Sequence, residues 1–219
     1  MMRIAVASLI LAAGLAGAAQ SQTAAPAAPT TTQPSAAAPA VAAPPAAAPS
    51  APAEPPPVLP TSGDGAQILQ ALEKVCMPAV RGQGLDAAAK AAGLKGNKRD
   101  GTWTMPLSSG KGYSIVFQPQ FSQKDVCTAE VHYAVGQDHD ITAALNIWAF
   151  LQQPKLILQA NYVNVDADGV KRVRKSWEHF ETGGASRAVN FSVLRKPDDS
   201  PLKPSFDTGM LFYQERKAG

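Results

Sequence analysis

The 219-residue chain carries a formal net charge of +3 with only 17% charged residues, which gives it no electrostatic footprint for nucleic acid. Two cysteines allow one disulfide and exclude a disulfide-dense scaffold or a Cys-based metal cluster. The apolar fraction of 45% is inflated by an alanine-rich N-terminal segment, so the core has to be sought further along the chain.

Residues 1–21 have the three-part layout of a secretory signal peptide. Arg3 gives a positive start, Ile4 to Leu15 is apolar, and Ala16-Gly17-Ala18-Ala19 supplies small residues for cleavage after Ala18 or Ala19, with Ser21 as the alternative. The apolar run falls short of the roughly 20 residues of a membrane-spanning helix. The layout predicts export to the periplasm or the exterior, with no transmembrane span after cleavage; retention as an N-terminal anchor is the other reading. Residues 22–62 are nearly all Ala, Pro, Thr and Ser, and hold most of the prolines. Such a composition offers too little apolar surface to offset ordering entropy, which predicts a disordered tether biased toward extended polyproline.

Residues 63–219 are long enough for one domain with its own core. Leu69, Leu72, Cys76 and Ala79 repeat at helical spacing and predict an amphipathic helix over Ile68–Val80, with Asp64 as a possible N-cap and Pro78 threatening the last turn. A short alanine-rich helix is expected from Leu85 to Ala92, stopped at Gly93. The period then changes to two. Thr102–Met105, the Tyr113, Ile115 and Phe117 alternation, and Cys127, Ala129, Val131 and Tyr133 read as three strands. Ile141–Gln152 is a third helix, with Asp140 as N-cap and Pro154 at its exit. Further strands follow. The first begins with Leu156, Leu158, Ala160 and Tyr162, and the turn Asp166-Ala167-Asp168-Gly169 leads to Val170–Phe180. Val189, Phe191 and Val193 mark the next, and Met210–Glu215 the last. The order α-α-β-β-β-α-β-β-β, with Met210–Glu215 as a candidate for one more strand, and the short turns predict an α+β fold, an antiparallel sheet with helices packed on one face. Cys76 and Cys127 both point toward the core, and export makes a Cys76–Cys127 disulfide the expected pairing; the rival reading, one redox-active thiol, has no Cys-x-x-Cys motif behind it.

The chemistry-bearing residues give no catalytic grouping. His132 lies on a strand's polar face with Glu130, and His139 sits between Asp138 and Asp140. A zinc site drawn from His132, His139 and Asp138 lacks the paired spacing such sites use, so no metal and no cofactor is expected. Nucleophile elbows are absent, Ser186 belongs to a loop before a strand, Asp198-Asp199 reads as a solvated turn, and Asp166-x-Asp168-Gly169 lacks the distal ligands of a calcium loop. The one marked cluster is Lys171-Arg172-Val173-Arg174-Lys175. Alternation puts Lys171 and Lys175 on the face of Trp177 and Arg172 and Arg174 on the other, with Arg187, Arg195 and Lys196 able to join from neighbouring strands. It reads as a charged edge strand that blocks edge pairing, or as a contact for an acidic partner with Trp177 as a flat anchor.

A Cys-bearing helix, a Gly-Trp strand and a second strand cysteine, carried by Cys76, Trp103 and Cys127, resemble uncharacterised secreted proteins of Gram-negative bacteria. The resemblance implies no activity. The reading that results is a non-enzymatic envelope protein, a tethered binding, inhibitory or accessory domain that presents a sheet face or edge. Its partner would be an envelope protein or an anionic envelope polymer, and not nucleic acid. The alternative is a small periplasmic hydrolase or lyase built around His132 and Glu130.

Overall fold

The computed structural model describes residues 55–218. The predicted signal peptide and most of the tether lie outside the described residues. The described chain opens with α1 (Gly63–Ala71), continues through two π-type turns at Leu72–Cys76 and Ala79–Gln83, and reaches α2 (Leu85–Ala91). Three strands follow, β1 (Lys95–Asn97), β2 (Thr102–Pro106) and β3 (Ser114–Phe117), then a 3₁₀ turn at Pro119–Phe121 and β4 (Val126–Tyr133). Helix α3 (Asp138–Leu151) leads into β5 (Ile157–Val165), β6 (Lys171–Phe180), β7 (Ser186–Arg195) and β8 (Asp207–Arg216).

The expected class is found, an α+β fold with an antiparallel sheet. The sheet has eight strands where the predicted order has six: the three-residue β1 is too short to show alternation, and four strands follow α3 in place of three; their order is β1-β2-β3-β4-β8-β7-β6-β5. The chain's last strand inserts between β4 and β7, so β4 pairs with β8 over its whole length. Period-two patterning dictates the two faces. Trp103, Met105, Ile115, Phe117, Cys127, Val131, Tyr133, Val189, Phe191, Val193, Leu211 and Tyr213 share one face by register, and the helices lie on it. The indole of Trp103 donates to Asp86 of α2 at 2.8 Å, that of Trp177 to Asn146 of α3 at 2.9 Å, and Trp148 of α3 packs edge-on against Tyr213. Cys76 and Cys127 are joined, as expected, across the helix–sheet boundary, and both are buried.

Three local expectations change. The first helix begins five residues earlier than its apolar stripe and continues past Pro78 to Gln83, because widened turns on both sides of Pro78 absorb its missing N–H and ring, and Gly82 (φ 110°) then ends the run. Neither proposed acidic cap acts as one. Asp64 lies inside the first turn of α1 and accepts from the Ser109 backbone N–H (3.1 Å) and hydroxyl, tying the helix to the β2–β3 loop. Helix α3 starts at Asp138 behind Gln137, so Asp140 sits in its first turn, where its charge still complements the helix dipole. The Leu158, Ala160, Tyr162 alternation is broken by a bulge, which puts Leu158 on the face of Trp177 and Ala160 and Tyr162 on the opposite one. The end of the tether is also not inert: Leu59 packs against the core.

Candidate functional site

Sheet order decides what the basic segment can do. Lys171–Lys175 lies on β6, flanked by β7 on one side and β5 on the other, so it is not an edge strand and guards no edge. Most of its charge is neutralised within the chain. Arg172 holds Asp168 in a two-pronged contact at 2.7 and 2.9 Å and reaches Asp166 at 2.9 Å; Arg174 holds Asp166 at 2.6 Å; Lys171 holds Asp199 at 2.7 Å. The guanidinium of Arg172, with the Val170 N–H behind it, holds the Asp168 carboxyl well below the usual carboxylate range. Both acids come from the β5–β6 turn, whose Gly169 (φ 75°) closes it with an N–H bond to the Asp166 carbonyl. Of the four cations only Lys175 has no ion pair among the described residues. Arg195 is likewise occupied, bridging Asp138 (2.9 Å) and the buried Asp207 (3.4 Å), and Arg187 donates to the Pro154 carbonyl.

Trp177 is not a surface anchor. It is 2% exposed, beneath α3, and its indole N–H is taken by Asn146. Alternation along β6 aims it at the helix layer, where a large apolar ring gains most from burial. It forms the floor, with Leu158, Val173, Phe191 and Val193, of a groove of about 380 Å³ between α3 and the β5–β7 wing. Lys175, Asp138, His139 and Asn146 stand along its walls.

The histidines do not converge. His132 is on the helix-free face of β4 and His139 is an exposed residue of the first turn of α3. Among the described residues no three metal-ligating side chains gather. His132 and Glu130 do meet, at 2.7 Å, their two-residue spacing placing both on one face of the strand. The hydrogen bond from His132 lowers the Glu130 carboxyl, Gln118 donates to its other oxygen at 2.9 Å, and the His132 ring rests 4.5 Å from Phe206. The carboxylate is thus occupied by donors from its own fold. Ser186 opens β7 and is buried, and Asp198 and Asp199 lie in the β7–β8 connection, where Asp198 accepts from Ser200.

The feature that distinguishes this molecule is β5. It ends the sheet, has nine residues and carries no charged side chain. Ile157 (57% exposed), Leu158, Tyr162, Val163 (56%) and Val165 (54%) are all open to solvent. Folded proteins commonly blunt such edges with shortness, lysine or proline. The opposite edge does so: β1 is three residues long and includes Lys95. On β5 the sole interruption is the bulge between Leu158 and Ala160, and Ala160–Val165 pairs with β6 without a break. Sequence patterning shows that Ile157–Val165 is uncharged and apolar on both faces, which is the signal available, but not that it lies at an edge.

No family model, curated protein or solved structure matches the chain. Among the described residues no helix is long and apolar enough to cross a membrane.

Proposed function

We propose that this chain is an exported, non-enzymatic binding domain that engages a protein partner by strand addition at β5. The observation that carries the reading is the long, uncharged, solvent-exposed edge strand at the end of the sheet. An exposed edge offers a row of backbone donors and acceptors for an incoming strand, and the apolar side chains on both sides of it supply the burial that main-chain bonds alone lack. The groove beside α3 extends that apolar surface inward from Leu158 to Trp177. Export rests on the signal layout of residues 1–21, and the buried Cys76–Cys127 disulfide suits an oxidising compartment. An anionic polymer is the weaker partner, since Lys171, Arg172 and Arg174 are already paired.

The test is site-specific photo-crosslinking in cells that make the full chain. A photo-reactive residue at Val163 is expected to give a discrete protein adduct in the envelope fraction, and the same residue at Lys98, beyond the short β1 edge, is expected to give none. Absence of an adduct at 163, equal adducts at both positions, or retention of the chain in the cytoplasm would each overturn the reading.

A further inference from the structure

We infer that the strand added at β5 is β5 of a second copy of this chain, giving a two-fold dimer with one continuous antiparallel sheet running through both copies; this rests on the strand-addition reading above. The first argument is charge. A two-fold axis normal to the sheet sets β5 against itself, so any charged residue on it would meet a like charge or a near neighbour of one. Ile157–Val165 has none, and edge strands without charge are the ones that tolerate self-pairing.

Register supplies the second argument. Antiparallel partners share a face, so the axis passes through a residue and not between two. The bulge at Leu158/Ala160 limits the regular stretch to Ala160–Val165. A centre on Tyr162 uses that stretch, pairing Asn161 with Val163, Ala160 with Asn164 and Tyr162 with its own copy. Tyr162 then lies beside Arg174, whose guanidinium is 5.9 Å from its ring, and the two tyrosines meet on the helix-free face.

Area is the third. The five half-exposed apolar residues of β5 present on the order of 500 Å² per chain, so their complete burial would remove about 1,000 Å² across the pair, the threshold of the specific size class. Val173 and the groove floor lie beside Leu158, Val163 and Val165 on the helix-bearing face. Interfaces at this low end of the size range belong to weak, transient encounters, so the dimer is expected to be reversible.

The experiment is sedimentation equilibrium of the purified protein between about 1 and 200 µM, with the double variant Asn161→Glu/Val163→Glu beside the wild type. The paired register sets the carboxylate introduced at position 161 of one chain directly opposite the one introduced at position 163 of the copy, on both sides of the axis, while within one chain position 161 faces Lys175 on β6. The variant should keep its thermal midpoint yet dimerise at least about tenfold more weakly, since like charges opposed across strands repel. As an independent check, Tyr162→Cys should give a dimer on non-reducing gels that reductant dissolves. A wild type that stays monomeric across the range, or a dimer untouched by the double substitution, overturns the self-pairing. If Val163 crosslinks a protein of different mass while the wild type is monomeric, strand addition survives and the second copy does not. If neither is seen, both readings fall.

Discussion

Removing the Cys76–Cys127 bridge should lower stability by an amount that the chain connectivity predicts. The two cysteines are 51 residues apart in sequence, and the loop they close contains α2 and all of β1 to β3. Closing a loop of that length removes entropy from the unfolded chain worth about 4 kcal/mol in the chain-entropy treatment. The bridge also pins the π-turn segment at Leu72–Cys76 to β4, the strand that joins the β1–β3 end of the sheet to the rest. Both sulfur-bearing residues are buried, so reduction requires unfolding first. The protein should be reduced in denaturant, refolded with reductant present, and compared with the oxidised form by urea titration at neutral pH. With a slope of about 2 kcal/mol/M for a domain this size, the midpoint should fall by about 2 M. Cys76→Ala/Cys127→Ala should show the same loss plus a smaller packing term. A midpoint change under about 0.5 M in the fully reduced wild type would refute the reasoning, because it would mean that the unfolded chain is not the state the bridge constrains.

Three further outcomes follow from the packing. Trp177→Ala should cost about 3–5 kcal/mol in urea unfolding, because it empties a buried site and strands the Asn146 amide that now accepts from the indole; a surface anchor would lose binding with little loss of stability. Gly209→Ala should destabilise by about 1–3 kcal/mol, since a Cβ there would stand 2.7 Å from the Phe191 ring and 3.3 Å from Tyr133 in the core layer; an unchanged thermal midpoint would show that this layer is looser than its geometry. Glu130 is held below its usual value near 4.5 by His132, so its contribution is complete above that pH and is lost as pH falls below it; Glu130→Gln should flatten the acid limb of the stability profile, and an identical limb in both proteins would dismiss the pair as a stabilising contact.

How much could be read from the residues alone depends on which interactions are local. Alternation from Cys127 to Tyr133 and helical spacing from Ile141 to Leu151 each report one element's own buried face, and both elements stand within a few residues of where the pattern places them. The same locality makes the Cys76–Cys127 pairing readable, because two inward-facing cysteines in one small core have few other places to go. The Asp168-Gly169 turn is readable as well, since the backbone of Gly169 adopts a conformation few other residues accept.

What the sequence determined, then, is the character of each segment: an alanine- and proline-rich leader, two cysteines bound for one core, a basic strand and an uncharged one. What only the tertiary structure decided is where in the sheet each strand lies. The same ten residues of β6 would guard an edge if they ended the sheet, but they are enclosed by β5 and β7, and turn acids and Asp199 neutralise three of their four clustered cations. The uncharged β5 would be an ordinary interior strand if another strand lay beyond it, and among the described residues none does. Strand order is set by long-range pairing, above all by β8 inserting between β4 and β7, and period-two patterning is blind to it because alternation reports which face a residue takes and not which strand lies beside it.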